Sequence, residues 1–128
     1  MLSCHRAARA AIGRVTAARA FSAKAASATS GALYMCGTGE SHKLGLGDTK
    51  DRETPVLVEA LADVPIARVA CGKFHSAALT ASGDVYAWGL NDYGQLGLGK
   101  AASKNQTTPA KVEALSGIGV TQLSCGEY

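Results

Sequence analysis

Of the 15 glycines in the chain, 14 lie in residues 31–128, and ten of these fall into five pairs that recur in the same order. Displaced by 52 positions, Gly31 meets Gly83, Tyr34 meets Tyr86 and Gly37 meets Gly89, while Leu44-Gly45-Leu46-Gly47 meets Leu96-Gly97-Leu98-Gly99. Displaced by 54, Thr54-Pro55 meets Thr108-Pro109, Val58-Glu59-Ala60-Leu61 meets Val112-Glu113-Ala114-Leu115, and Cys71-Gly72 meets Cys125-Gly126. The two extra residues between Gly99 and Thr108 mark a loop, where length changes cost little. Replacements between the copies keep their chemistry: Leu33 becomes Val85, Val64 becomes Ile118, Ile66 becomes Val120, Val69 becomes Leu123 and Phe74 becomes Tyr128. Self-similarity at such a period is the mark of a repeat architecture, in which one unit cannot bury its apolar face alone.

Within a unit the apolar segments are short. Strands are predicted at Leu33–Cys36, Val56–Glu59, Ile66–Ala70, Ser76–Thr80, Val85–Trp88, Lys111–Ala114 and Val120–Ser124, with no helix after residue 30. Val85 and Ala87 alternate with Tyr86 and Trp88 across the two faces of a strand. Pro55 and Pro109 cannot donate to a ladder, so each should open a strand or lie at an edge. Ser82-Gly83-Asp84 reads as a hairpin turn. The glycine content of residues 31–128 is twice the usual roughly 7%. That calls for many positive-φ turns or close backbone approaches. Four short strands per unit, wound tightly around an axis, make one blade of a β-propeller.

The residues before the repeats differ in kind. Residues 1–30 hold 11 of the 24 alanines and five basic residues, Arg6, Arg9, Arg14, Arg19 and Lys24, with no acid; the first acid is Glu40. Residues 31–128 hold eight basic and ten acidic residues, a net charge of −2. The overall positive charge therefore belongs to the leader, and the body shows no signal for direct nucleic-acid binding. No apolar run approaches the roughly 20 residues that span a bilayer as a helix. An acid-free, Arg- and Ala-rich start matches an organellar presequence, since a cationic segment gains about 2.3 kcal/mol per charge per 100 mV of inside-negative potential. Arg19-Ala20-Phe21-Ser22 resembles a mitochondrial processing site with cleavage between Phe21 and Ser22. The reading is a mitochondrial, matrix-directed protein with a disordered or helical leader; a chloroplast address, or a basic tail on a cytoplasmic or nuclear protein, is the alternative.

The repeat itself resembles the regulator-of-chromosome-condensation family. The runs that carry the resemblance are Gly83-Asp84-Val85-Tyr86-Ala87-Trp88-Gly89-Leu90-Asn91-Asp92-Tyr93-Gly94-Gln95-Leu96-Gly97-Leu98-Gly99 and Val69-Ala70-Cys71-Gly72-Lys73-Phe74-His75-Ser76. Gly37, Gly45, Gly47, Cys71, Gly72, His75, Trp88, Gly89, Asn91, Gly94, Gln95, Leu96, Gly97, Gly99, Cys125 and Gly126 are the structural motif positions. The first copy departs from the pattern: Cys36 stands where Trp88 does, and Glu40-Ser41-His42-Lys43 replaces Asn91–Gln95. A looser first blade or a specialised loop should follow. The resemblance implies an all-β fold, a seven-bladed propeller in the complete form. This chain holds nearly two repeats, 31–82 and 83–128, so it is expected to be an incomplete propeller, part of a longer protein or a truncated product.

Other motifs have plainer readings. Gly94-Gln95-Leu96-Gly97-Leu98-Gly99-Lys100 opens like a phosphate-binding loop, but Ala101 stands where a Ser or Thr must hold magnesium. Cys71 and His75 supply two metal ligands where a site needs about four, and Cys125 repeats Cys71, which points to packing. His75 is expected to hydrogen-bond a neighbouring loop or blade. The single Trp88 is expected to be a core or inter-blade anchor rather than a light sensor. Asn105-Gln106-Thr107 is a sequon. No catalytic triad or carboxylate pair can be assembled, and no cofactor or metal is implied.

Propellers present loops on a rigid frame. The expected function is therefore a non-catalytic protein-interaction scaffold, and the resemblance, taken with a mitochondrial address, implies an assembly or ribosome- or RNA-maturation factor. Its candidate contact residues are Glu40, His42 and Lys43 in one loop and Lys100 and Lys104 in the other. The alternative is guanine-nucleotide exchange on a small GTPase, the activity that the resemblance also implies.

Overall fold

The computed structural model describes residues 9–12, 31–100, 102 and 104–128. Among these residues seven strands run in the order β1 (Arg9–Ile12), β2 (Leu33–Gly37), β3 (Arg52–Leu57), β4 (Ile66–Cys71), β5 (His75–Thr80), β6 (Val85–Gly89) and β7 (Gln106–Lys111). They form two antiparallel sheets, β1-β2-β3 and β4-β5-β6-β7. The fold is all-β, as expected, and the four-stranded sheet is one complete blade. It takes β4 and β5 from residues before Gly83 and β6 and β7 from residues after it, so the blade straddles two sequence units.

The leader departs from its expected form. Arg9–Ile12 is neither helical nor without structure: it is a strand paired antiparallel to β2. The processing residues Arg19, Phe21 and Ser22 lie outside the described residues, as does Cys4.

The predicted strands at Val56–Glu59 and Lys111–Ala114 also need correction. Both outer strands begin earlier, at Arg52 and Gln106, where they pair with Gly37 and Gly89 across matching bulges. Gly37 and Gly89 have φ of +112° and +103°, and a Cβ on Gly89 would come within 2.5 Å of the Phe74 carbonyl. Glycine is thus required where the strand bends. At the far ends, Glu59–Leu61 and Glu113–Leu115 are single 3-10 turns, not strand. Residues i and i+3 of such a turn eclipse. Val58 and Leu61 therefore both point inward, 0% and 1% exposed, where strand alternation would have turned one out. Val120–Ser124 carries no strand, and no described strand lies beside it to pair with.

Pro55 and Pro109 lie in β3 and β7, the edge strands, where a missing N–H costs no ladder bond. The Ser82-Gly83-Asp84 hairpin forms as read, with Gly83 at φ +89° and the Thr80 N–H donating to the Asp84 carbonyl at 2.9 Å.

The alternation on β6 divides the interior. Trp88 and Tyr86 face a core made with Leu33, Met35, Leu44, Val58, Leu61 and Ile66, between the two sheets. Val85 and Ala87 face a second core with Ala77, Leu79, Leu96 and Val112 on the opposite side of the blade. The second core is the first one shifted along by one unit: Val85, Ala87, Leu96, Val112 and Leu115 stand where Leu33, Met35, Leu44, Val58 and Leu61 stand.

Candidate interaction surface

The loops that join β2 to β3 and β6 to β7 are the expected contact elements, and each is pinned from within. In the second loop the Asn91 N–H donates to Asn105 Oδ1 at 2.9 Å. The Asn91 side chain accepts the Leu96 N–H at 3.1 Å and donates to the Ala102 carbonyl. In the first loop the Gly39 N–H donates to Asp51 Oδ1 at 2.9 Å, the same brace one unit earlier. A Cβ on Gly39 would lie 2.2 Å from the Lys50 carbonyl, so the closer approach there leaves no room for the asparagine that its counterpart carries. The sequon asparagine is thus a loop brace.

The glycine-rich run that opens like a phosphate loop spends three of its N–H groups internally. The Gly94 N–H donates to the Asn91 carbonyl, the Gly97 N–H to the Gly94 carbonyl and the Leu96 N–H to Asn91. Backbone donors used this way cannot cradle a phosphate.

The first loop has the specialised geometry its sequence suggests. Ser41 and His42 both adopt positive φ, +58° and +61°, a conformation rare outside glycine. The structure separates the three residues named in this loop. Glu40 is exposed and His42 half-buried, with Nδ1 3.3 Å from the Asp48 carbonyl. Lys43 is 4% exposed, and its Nζ donates to the Lys73 carbonyl at 3.3 Å. Lys43 therefore ties the first loop to the blade rather than reaching outward. Lys100 and Lys104 are exposed on the second loop.

Trp88 is an inter-sheet anchor. It is fully buried, and its indole N–H donates to the Lys43 carbonyl. The two Cys-Gly turns also meet. Cys125 Sγ donates to the Ala70 carbonyl at 3.5 Å, and the Lys73 N–H donates to the Gly126 carbonyl at 3.3 Å. Burial, with Cys71 close by, pushes the Cys125 thiol up to about 11.

At His75 Nδ1 the expected hydrogen bond to a neighbouring loop or blade is not formed among the described residues. The His75 ring packs against Gly72, and Nδ1 is buried. Burial holds its imidazole below the usual value. His75 and Gln95, whose Nε2 is likewise unpartnered among the described residues, line a cleft of about 220 Å³ with Ala77, Ala87, Leu96 and Gly97. This cleft is the second-unit counterpart of the pocket that Trp88 fills in the first.

Sequence reasoning missed an aromatic rim. Tyr93, 76% exposed, meets Tyr128 edge-on at 5.2 Å between ring centroids, and Tyr128 lies 5.8 Å from Phe74. Lys73 sits over the Phe74 ring at 5.0 Å and pairs with Glu127. The available signal is the spacing of Phe74 and Tyr128 at the repeat period.

The profile of the regulator of chromosome condensation (RCC1) repeat matches residues 30–79 and 82–128, and a second profile of that repeat matches 66–95. The chain belongs to the RCC1 repeat family. It is 43% identical over 96 residues to the human E3 ubiquitin-protein ligase HERC2, covering 75% of this chain and 2% of that one. It is 44% identical over 102 residues to mouse protein RCC2, covering 77% and 18%. The structure of Prp20p from Saccharomyces cerevisiae, described with its binding to Gsp1p and histones, superposes with a TM-score of 0.64 at 31% identity, over 74% of this chain and 24% of that one. The chain thus spans less than a fifth of either curated relative. The partial propeller read from the repeats agrees with this likeness.

Proposed function

We propose that this chain is part of a non-catalytic, protein-binding scaffold of RCC1 repeats that works in mitochondria and belongs to a longer protein whose further units complete the ring. The arginine-rich leader serves as the address, cut after Phe21. The two sequence units, 31–82 and 83–128, supply loops for a partner, drawn from ribosome- or RNA-maturation factors.

The observation that carries the protein-binding reading is Tyr93. A large aromatic ring stands 76% exposed on a loop held by Asn91, Asn105 and Gln95. A pre-ordered aromatic loses little entropy on binding, and such residues anchor interfaces. The test is affinity capture from mitochondria with the full-length protein and with Tyr93→Ala. Recovery of ribosomal or RNA-processing proteins, reduced in the variant, supports the reading; an undiminished partner set in the variant removes Tyr93 as the anchor.

Guanine-nucleotide exchange is the second reading, supported by the likeness to Prp20p and its reported binding to Gsp1p. Exchange needs only tighter binding of the nucleotide-free GTPase, with no bond made or broken by the propeller. Capture of a GTPase whose nucleotide release the protein accelerates would put this reading first.

A further inference from the structure

The leader strand copies a repeat strand in register. Along β1 and β2, Arg9 opposes Cys36, Ala10 opposes Met35, Ala11 opposes Tyr34 and Ile12 opposes Leu33. Along β5 and β6, Ser76 opposes Trp88, Ala77 opposes Ala87, Ala78 opposes Tyr86 and Leu79 opposes Val85. Cys36, Met35, Tyr34 and Leu33 are the counterparts of Trp88, Ala87, Tyr86 and Val85 one unit earlier. The two pairings therefore superpose without a slip, and Ala10-Ala11-Ile12 occupies the positions of Ala77-Ala78-Leu79. A slip of one residue in any strand exchanges its two faces, so an exact match of register is a demanding one.

The copy is held less firmly than the original. β5 reaches β6 through the four-residue Ala81–Asp84 turn, whereas Ile12 and Leu33 are separated by residues 13–32. Bringing together strands separated by more residues costs more entropy. β5 is six residues long with β4 on its outer side; β1 is four residues long, with no described strand beyond it.

We propose that β1 is a placeholder strand and that the edge of β2 is an acceptor site for a repeat strand of the Ser-Ala-Ala-Leu type. The leader occupies the edge that such a strand needs, shielding backbone groups that would otherwise pair with other chains. Wherever the leader departs, the edge opens for its true occupant. The inference rests on pairing register and not on where the leader directs the protein.

The test uses the full chain and a fluorescent peptide of residues 72–83. Arg9→Cys in a Cys4→Ser background places a thiol opposite Cys36, at the spacing of directly paired strands, within disulfide reach. Oxidation is expected to join the introduced thiol to Cys36 and abolish peptide binding, with reductant restoring it. Ala11→Pro, which breaks β1, is expected to raise peptide affinity at least tenfold and speed amide exchange along β2. Amide protection between β5 and β6 reports that the blade stays folded. Failure of the disulfide to form, or peptide binding that is the same locked and unlocked, overturns the proposal. Should Ala11→Pro not fold, the locked and reduced forms of the Arg9→Cys chain decide alone.

Discussion

The indole N–H of Trp88 donates to the carbonyl of Lys43 at 2.9 Å, and the same oxygen accepts the Ser76 hydroxyl at 2.8 Å. One backbone carbonyl of the first loop thus receives two side chains of the blade. Trp88→Phe keeps an aromatic ring but leaves that carbonyl with one donor fewer and a gap beside it. It should cost about 2 kcal/mol, and Trp88→Ala about 3–5 kcal/mol. Urea unfolding followed by far-ultraviolet circular dichroism measures both; a Trp88→Phe loss below about 0.5 kcal/mol would show that the hydrogen bond contributes nothing net.

Gly45 and Gly94 share a left-handed backbone but not a neighbourhood. Their φ values are +70° and +75°; a Cβ on Gly45 would lie 2.8 Å from Trp88 Nε1, while one on Gly94 meets nothing within 4 Å. Gly94→Ala should cost only the backbone penalty of about 1–2 kcal/mol. Gly45→Ala should exceed it clearly, because the indole must also move. Equal losses in the two variants would mean that the indole yields freely.

Stability should fall between neutral and mildly acid pH through His75. Burial depresses its folded pKa below the ordinary value of about 6.5, so the unfolded chain takes up the proton first. The full contribution is present above that value and is lost as pH drops toward the folded pKa. Asp48, bonded to Arg52, and Asp84, bonded to Lys111, are both depressed below the usual carboxylate value, so they remain ionised over this range. The urea midpoint should therefore be lower at pH 5.5 than at pH 7.5, and His75→Gln should flatten the difference. An unchanged slope in His75→Gln would assign the effect elsewhere.

Cys125 should resist alkylation in the folded protein. With its pKa near 11 against an ordinary 9.0, the thiolate fraction at pH 8 is about a hundredfold smaller than in the unfolded chain. Timed iodoacetamide labelling, read by peptide mass spectrometry in native buffer and in urea, checks this. Comparable rates in the two states would place the sulfur in water.

Much of this architecture is visible in the residues. Duplicated glycines, strand alternation at Val85–Trp88, edge prolines and the Ser82-Gly83-Asp84 turn are local signals, and each has a local structural outcome. The misplaced strand ends at Val58-Glu59 and Val112–Ala114 show where local reading fails. An apolar pair spaced i, i+3 can be strand or 3-10 turn, and only packing against β2 or β6 decides. A lysine in a propeller loop suggests a contact residue, but the burial of Lys43 depends on a carbonyl at Lys73, distant in sequence. The Tyr93 rim and the pairing of β1 with β2 likewise join residues far apart, which no local pattern encodes.

The complete blade draws two strands from either side of Gly83, so neighbouring units are woven rather than butted together. A recombination event cutting at the turn would split a blade in half, leaving each fragment with an orphaned pair of strands. Modules built in this fashion can be gained or lost cleanly only at other breakpoints, between blades, such as the Val58–Pro65 connection.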